Sequence, residues 1–420
     1  MLRSIVLLGL LPILIVAQAP PKLPTVRYVA GATATFATHT QLTGYNFAWG
    51  PSDGEFGAIP AGGGRYMFYG AGGSAFACNR TRGPIIEGAF AFTGKLDRVS
   101  GGDGCKKLFG PSPGPAAWTF ARDYAGGGQV VRFSGGGKSG WLMVLHGEYW
   151  WQNPNTPDHK CSGAACFYSS LGLAMSTDGG QSFKVVGEIV QPSPPRSYFT
   201  GGGNSMPIGY GSLIVADADG KHLDNPPADP SRAYFYTFYT DFTPGLPGVC
   251  ATAACLAVAR APYGELVEAV LSNDPHRVAK AFHKYDGASP DPWMQPATSD
   301  TLDNSVGAGK FAPLWTQDTG GQPTVLYDHA FDVYLAAYVF GGGALGIRIR
   351  ASRDLIHWSG PIGAPIQEPG RTLYYPTLLG ETGEPTIGGP APRLYFTSFA
   401  TFPDYGSSVF ETIQLTLSSP

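Results

Sequence analysis

The stretch "STDGGQSF", residues 176–183, places an aspartate beside two glycines, directly after the strand-like run 171–175. An aspartate side chain accepts hydrogen bonds from nearby backbone N–H groups, and glycines tolerate the positive φ angles of tight turns. Phe183 can pack beneath such a turn. These features predict that Asp178 is the structural hinge of a turn between two strands and not a catalytic carboxylate.

A second turn of this kind lies at residues 351–358, "ASRDLIHW", after the strand-like run 346–350. Both turns contain Ser-x-Asp, with an aromatic residue five positions after the aspartate in the first and four in the second. Five aromatic-rich runs also predict strands: 65–70, 140–145, 233–239, 333–338 and 393–398. Such repeats predict an all-β chain folded as a five-bladed β-propeller, with one four-stranded blade for each unit.

The composition agrees with many short strands joined by tight turns, because there are 59 Gly, 37 Pro and 13% aromatic residues against only 14% charged. A jelly roll or a pair of β-sandwiches would share this composition, but neither predicts the recurring turn. The glycine runs 62–64, 126–128 and 341–343 predict further turns. Only residues 263–283 have helical character, and Pro275 interrupts them.

The N-terminal segment 1–19 predicts a secretory signal peptide: Arg3, the apolar run 5–16 and the small-residue segment 17–19 follow one another. The apolar run is short for a membrane span. A retained N-terminal anchor is the alternative. Residues 20–420 are then expected to form a single propeller domain, exported to the extracellular space or the periplasm.

Six cysteines fit an oxidising compartment. Their clustering suggests three pairs, although fifteen pairings are open: Cys161 with Cys166, Cys250 with Cys255, and Cys78 with Cys105. No Cys-x-x-Cys spacing indicates zinc. No cofactor is predicted, and a calcium or sodium ion in the channel is an alternative that no motif indicates. The net charge of −3 gives no reason to expect nucleic acid or a membrane surface as partner, and the oligomeric state is left open.

The two turns carry a resemblance to known families. "STDGGQSF" resembles the Asp-box of sialidase-type propellers, Ser-x-Asp-x-Gly-x-Thr-Trp, with Ser182 and Phe183 at the last two positions. "ASRDLIHWS" resembles the strand and turn of five-bladed furanosidase-type glycoside hydrolases, the arabinanase, xylosidase and invertase-like groups. The resemblance implies that Asp178 lies at the periphery of a blade, far from the binding face. It also implies a carbohydrate substrate.

Hydrolysis of a glycosidic bond needs two carboxyl groups, one ionised and one protonated. Asp53, in "FAWGPSDGEF" (47–56), is the first candidate. The resemblance implies an aspartate on the innermost strand of the first blade as base or nucleophile, and Asp53 is the nearest match. Trp49 beside it suits stacking on a sugar. The alternative is an exposed Ser-Asp-Gly turn.

Glu148, in "VLHGEYWW" (144–151), is the second candidate, as the general acid. An apolar strand delivers it among His146, Tyr149 and Trp150, surroundings that would raise the pKa of a carboxyl group. The three neighbours are predicted to contact the substrate. Alternatively, these aromatic residues pack between blades.

Four more residues are candidates for the channel. Asp328 and His329, in "YDHAFD" (327–332), could orient the substrate or tune a catalytic partner, although a hairpin turn explains them as well. Tyr375 and Asn204 stand at the expected starts of inner strands, where packing is the alternative. The segment 217–220, "DADG", lacks the later ligands of a calcium loop and predicts a turn.

The sequence therefore predicts a secreted glycoside hydrolase that cleaves an oligo- or polysaccharide, with Asp53 as base or nucleophile and Glu148 as acid. A sialidase-like exo-glycosidase would require an arginine triad, and no triad can be assigned. A non-catalytic propeller for carbohydrate binding or adhesion is the competing class.

Overall fold

The computed structural model describes residues 22–29, 32–38, 53–72, 88–94, 106–111, 120–151, 166–199, 207–243, 254–288, 290–299, 303–315, 320–380, 384–402, 404 and 408–419. The predicted signal peptide lies outside these ranges. Within them β-strands dominate the secondary structure and the fold is all-β, as predicted. No helix among the described residues is long and apolar enough to cross a membrane.

Among the described residues, five sheets of four or five strands contain nearly all of the strands. Sheet I contains β3 (Gly57–Gly62), β4 (Arg65–Gly72), β5 (Gly88–Gly94) and β6 (Lys106–Phe109). Sheet II contains β7 (Tyr124–Gly135), β8 (Lys138–Trp150), β9 (Phe167–Ser176) and β10 (Lys184–Val190). Sheet III contains β11 (Ile208–Asp217), β12 (Ala233–Asp241), β13 (Cys255–Pro262), β14 (His283–Lys284) and β15 (Gln295–Pro296).

Sheet IV contains β16 (Gly320–Asp328), β17 (Val333–Phe340) and β18 (Ile347–Ser352), with β20 (Ile387–Gly388) parallel to β16. Sheet V contains β19 (Thr372–Leu379), β21 (Arg393–Phe399), β22 (Ser408–Gln414) and the N-terminal strand β2 (Ala34–Thr38). A two-stranded sheet pairs β1 (Thr25–Arg27) with β23 (Thr416–Ser418). Strand β2 thus completes sheet V, while β1 and β23 join the two ends of the described chain in a separate sheet.

The five predicted aromatic-rich strands are β4, β8, β12, β17 and β21, and each is the second strand of its sheet. The predicted helical segment is confirmed as α1 (Tyr263–Ser272) and α2 (Pro275–Ala281). Asn273, in the left-handed conformation, ends α1, and the Asp274 side chain caps α2 ahead of Pro275. Three short 3₁₀ helices complete the elements: η1 (Arg196–Tyr198), η2 (Pro230–Arg232) and η3 (Gly341–Gly343).

The core is divided into apolar clusters, each between two successive sheets. Bulky strand residues facing one another across these interfaces bury the apolar surface that stabilises the fold. The clusters include Tyr69 and Met143 (I and II), Leu171 and Phe235 (II and III), Phe238 and Val325 (III and IV), Leu335 and Leu378 (IV and V), and Tyr395 and Phe68 (V and I). Because the series returns to sheet I, the sheets surround a common axis in a β-propeller arrangement.

Buried hydrogen bonds join the first strands of the sheets to their neighbours. In each, a side-chain oxygen of one sheet accepts from a backbone N–H of the next. The pairs are Thr377 Oγ1 with Phe56 N (2.9 Å), Thr324 Oγ1 with Leu378 N (2.8 Å), Thr240 Oγ1 with Gln322 N (2.7 Å) and Gln129 Oε1 with Leu213 N (2.6 Å). An edge strand leaves N–H groups unpaired, so these acceptors supply partners that the sheets themselves do not.

The turn at residues 176–183 joins β9 to β10, on the outer strands of sheet II. Asp178 Oδ1 accepts hydrogen bonds from Ser182 N (3.0 Å) and Ser176 Oγ (2.8 Å), while Gly179 and Gly180 have φ of 75° and 86°. Burial acts to raise the pKa of Asp178, but the hydrogen bonds from Ser182 and Ser176 bring it down to about 2. Asp178 is therefore an ionised acceptor within its own turn.

The turn at residues 352–358 repeats this chemistry after β18. Asp354 Oδ1 accepts from Ile356 N (3.0 Å) and His357 N (2.7 Å), and Ser352 Oγ donates to the same oxygen (3.1 Å). Trp358 Nε1 donates to Leu355 O (2.9 Å). The aromatic residue that ends the motif thus closes the turn.

Two of the six cysteines, Cys166 and Cys255, are among the described residues, and neither is a free thiol. Their predicted partners, Cys161 and Cys250, lie outside the described residues. The pairing stays a prediction.

Replacing Thr377 with valine keeps the shape of the side chain but removes the hydroxyl that accepts from Phe56 N. We expect Thr377→Val to lower the free energy of unfolding by about 1–3 kcal/mol, because a buried N–H loses its partner. Thr237→Val is the matched control, since the buried Thr237 hydroxyl has no hydrogen-bond partner among the described residues. Equal stability of the two variants in denaturant unfolding would contradict the assigned bond.

Glu411 in β22 of sheet V and Glu368 in the loop before β19 are in contact, and the two carboxyl groups predict a pH-dependent stability. Burial raises the pKa of Glu411 to about 8, and both the hydrogen bond to Glu368 and the negative charge of Glu368 contribute to this increase. A carboxyl group whose pKa is higher in the folded than in the unfolded protein stabilises the fold at pH values below its unfolded-state pKa. This contribution is lost as the pH rises toward 8.

We therefore expect the wild type to lose stability between pH 5 and pH 9 relative to Glu411→Gln, whose amide remains a neutral donor to Glu368. Unfolding midpoints in denaturant at several pH values measure the difference. Glu265→Gln, at an exposed position of α1, is the control. Parallel pH curves for wild type and Glu411→Gln would show that the carboxyl pair does not govern the effect.

Candidate active site

Asp53 lies just before β3 and is surrounded by tyrosine hydroxyl groups. Its Oδ1 accepts a hydrogen bond from Tyr375 Oη (3.1 Å) and its Oδ2 accepts one from Tyr124 Oη (3.2 Å). Tyr124 Oη in turn lies 2.9 Å from Tyr210 Oη. The backbone of Asp53 is fixed by its N–H, which donates to Ala71 O at the end of β4 (3.3 Å). Residues from sheets I, II, III and V thus meet at one carboxylate.

β-Bulges in the first strands direct these side chains inward. Strands β7, β11, β16 and β19 each contain two residues opposite a single partner residue near their N-terminal ends. Bulges re-aim side chains and are frequent beside active sites. Tyr210 in β11 and Tyr375 in β19 are both bulge residues, which explains how their hydroxyl groups reach the same place.

The backbone of Tyr375 is strained. Its φ is +55°, and Gln322, in the equivalent bulge of β16, has φ +57°. Both residues precede a proline. Non-glycine residues in this region cost about 1–3 kcal/mol and persist only where the surroundings hold them. Here Gln322 Oε1 accepts from Tyr375 N (3.2 Å), so the two strained residues support one another.

Glu148 lies in β8, directly opposite Tyr124 in the register. Its Oε1 is 3.1 Å from His146 Nε2, and its Oε2 accepts from Trp150 Nε1 (2.5 Å). His146 is buried and its ring stacks on Tyr210, with centroids 4.4 Å apart. His146 Nδ1 has no partner among the described residues, so the ring makes its polar contact with Glu148 through Nε2. Both oxygens of Glu148 thus have polar partners, and 13% of its side chain is exposed.

A continuous series of contacts therefore runs from Asp53 through Tyr124, Tyr210 and His146 to Glu148. Burial first, and then the charges of Asp53 and Glu148, raise the pKa of Tyr124 and of Tyr210 well above the usual value. The two phenols stay protonated and act as hydrogen-bond donors. Both carboxylates are close enough to influence the same two hydroxyl groups.

Glycines make this close packing possible. A Cβ at Gly54 would lie 2.5 Å from Cε1 of Tyr210, and a Cβ at Gly126 would lie 2.7 Å from Tyr124 Oη. The run 126–128, predicted to be a turn, instead lies inside β7. Its glycines provide space for the tyrosines and not a reversal of the chain.

The structure brings together five of the predicted residues: Asp53, His146, Glu148, Trp150 and Tyr375. Sequence reasoning missed Tyr124 and Tyr210. Tyr210 carried a local signal, because it stands between Gly209 and Gly211, whereas Tyr124 lies between Asp123 and Ala125 and carried none. Trp49 and Asn204 lie outside the described residues.

Tyr149, Asp328 and His329 lie away from this cluster. Tyr149 follows Glu148 in the strand and points to the other face of sheet II, where Arg196 lies 4.4 Å above its ring. Asp328 ends β16, six residues after Gln322 and thus about 20 Å along the strand. Its Oδ1 accepts from Ala330 N (3.0 Å) and Phe331 N (3.1 Å) in a hairpin turn, and burial raises its pKa. His329 Nδ1 hydrogen-bonds to Gly388 O beside this turn.

Asp217 belongs to a turn, as predicted. Its Oδ1 accepts from Asp219 N and Lys221 N, both at 2.9 Å, between β11 and β12. The described ranges contain no group of three His, Cys, Asp or Glu side chains that could hold a metal ion.

The chain matches no protein-family model and no curated protein. Among solved structures, it is similar to the catalytic domain of a family 62 α-L-arabinofuranosidase from Coprinopsis cinerea, with 11% identity over 89% of this chain and 96% of that chain and a TM-score of 0.46. It is also similar to a family 117 glycoside hydrolase from the marine bacterium Zobellia galactanivorans, with 10% identity, 94% and 90% coverage and a TM-score of 0.45. A protein of unknown function from Dyadobacter fermentans has 9% identity, 94% and 100% coverage and a TM-score of 0.42. At TM-scores below 0.5 these likenesses carry no weight for function, which depends on the chain's own side chains.

A methyl group at Gly54 tests the packing of the site. We expect Gly54→Ala to lower the free energy of unfolding by about 1–3 kcal/mol, because the ring of Tyr210 must move to accommodate it. Gly264→Ala in α1, where a Cβ meets nothing within 4 Å, is the matched control and should be neutral or stabilising. If both alanine variants unfold at the wild-type midpoint, Gly54 does not contact Tyr210 as described.

Proposed function

We propose that this chain is a glycoside hydrolase that cleaves an oligo- or polysaccharide with Asp53 and Glu148 as its two carboxyl groups. The observation that carries the proposal is the connected series Asp53, Tyr124, Tyr210, His146 and Glu148. It places two carboxyl groups, one just before β3 and one in β8, around shared hydroxyl groups. Two positioned carboxyl groups are the chemical requirement for glycosidic bond hydrolysis.

Asp53 takes the role of base or nucleophile. Two phenolic donors, Tyr124 and Tyr375, stabilise its ionised form and fix the direction of its oxygens. A carboxylate held in this way can attack the anomeric carbon or activate a water molecule without first reorganising.

Glu148 takes the role of general acid. In this role Glu148 is protonated in the substrate complex and donates its own proton to the departing glycosidic oxygen, while His146 Nε2, 3.1 Å from Oε1, orients the carboxyl group. Trp150, whose indole N–H is bonded to Glu148 Oε2, keeps the carboxyl group in one orientation. Its partly exposed ring offers a surface for a sugar.

The proposal includes a five-bladed propeller and an exported protein. Sheets I to V supply one blade each, and the apolar clusters between successive sheets support this count. Segment 1–19, with its single arginine and short apolar run, supports export. Loop disulfides at Cys166 and Cys255 fit the same compartment.

A non-catalytic carbohydrate-binding propeller is the second candidate. It is favoured by the fact that both oxygens of Asp53 and both oxygens of Glu148 already have hydrogen-bonding partners within the protein. Carboxylates held in this way also suit binding to sugar hydroxyl groups.

The variants Asp53→Asn and Glu148→Gln distinguish the two candidates. On a panel of aryl glycosides and polysaccharides, we expect each to lower kcat by about 10²-fold or more, because each removes a group that transfers a proton or attacks the substrate. Affinity electrophoresis on the same polysaccharides should show retained binding.

Asp219→Asn, in the turn at the other end of β11, is the matched control and should keep full activity. Full activity of both site variants would refute these assignments. Binding of a glycan by the wild type without turnover of any substrate would establish the binding protein instead.

A further inference from the structure

A row of aromatic rings leads outward from Asp53 over sheet V. Tyr375, whose hydroxyl donates to Asp53, has Tyr374 beside it, with ring centroids 5.7 Å apart. Tyr374 stacks on Phe402 in a nearly parallel arrangement, at 4.2 Å and 6°. Phe402, in the bend that follows β21, is 40% exposed. Two ring-to-ring steps therefore connect the candidate active site to an exposed aromatic ring.

This exposed ring is held firmly. Phe399, which is buried, contacts Phe402 edge-on, with centroids 5.2 Å apart and planes at 89°. Tyr374 is confined by η3 of sheet IV, because a Cβ at Gly343 would lie 2.7 Å from Tyr374 Cε2. Gly343 has φ +83°, which favours glycine. Phe402 is thus supported by the rings of Tyr374 and Phe399 and is also accessible to solvent, so it forms a fixed platform.

We propose that Phe402 is a sugar-stacking subsite for a unit of the glycan beyond the one at Asp53. The inference rests on the proposed function and deepens it: the substrate is a carbohydrate chain that extends from the carboxyl pair across sheet V. A sugar ring presents a face of C–H groups, which suits the π-face of an aromatic ring. A sugar unit is the expected occupant, because the aromatic stack that supports Phe402 continues through Tyr374 to Tyr375, which donates to Asp53.

The subsite predicts an effect that depends on chain length. For Phe402→Ala, we expect KM to rise about three- to tenfold on long oligosaccharides and polysaccharide, since one stacking contact is lost. KM on aryl monosaccharides, which do not reach Phe402, should be unchanged. Phe402→Trp keeps a larger aromatic ring at this position, so its KM on the long substrates should equal that of the wild type.

Tyr198→Ala removes another exposed aromatic side chain, 48% accessible on η1, and serves as the control. A substrate series of increasing length, assayed with wild type and all three variants, gives the readout. Equal KM values for wild type and Phe402→Ala on long and short substrates alike would overturn the subsite while leaving the hydrolase intact.

If no glycoside is turned over by the wild type, the proposed function fails and the subsite is tested by binding. Retardation in native gels that contain polysaccharide should then be weaker for Phe402→Ala than for wild type and Tyr198→Ala. Equal retardation of all three proteins would overturn the subsite in that case as well.

Discussion

Backbone N–H groups in or just before the first strands of sheets I, III, IV and V need partners that their own sheets do not supply, and the rest of the structure depends on how they find them. Thr377, Thr324, Thr240 and Gln129 provide side-chain oxygens that reach from one sheet to the next. An unpaired buried N–H costs as much as a lost hydrogen bond. These contacts therefore fix the sheets relative to one another, while the apolar clusters between the sheets supply the larger, non-directional share of the stability.

The same strands create the candidate site. Side chains along a regular strand alternate between the two faces of its sheet. In this ring, each face of a sheet is covered by a neighbouring sheet. Bulges interrupt this alternation in β11 and β19 and direct Tyr210 and Tyr375 toward Asp53. The site is thus a consequence of how the ring is closed, and the strained backbone at Tyr375 and Gln322 is part of that closure.

The acidic residues near the axis fall into two physical classes. Asp53 and Glu148 have polar partners on both oxygens and keep contact with the polar network of the site. Glu55, only two residues after Asp53, is buried without a hydrogen-bond partner among the described residues, and burial raises its pKa well above the usual range. Burial without donors makes Glu55 a neutral acid, whereas the donors around Asp53 support an ionised one. Two positions in the segment just before β3 thus lie in environments that favour different ionisation states.

The amino-acid sequence by itself determined the local elements. The turns at Asp178 and Asp354 follow from side chains that bond to backbone groups a few residues away, and the aromatic strands and the interrupted helix follow from short-range pattern. Asp53 and Glu148 could be selected for the same reason, since the glycine and aromatic residues around them are their sequence neighbours. Only the tertiary structure decided that Tyr124 and Tyr210, which are 86 positions apart, join them, and that the glycine run before Gln129 is a strand. It also decided that Asp328 and His329 lie at the far end of β16. These outcomes depend on bulges, on strand direction and on contacts between distant sheets, none of which a local pattern of residues encodes.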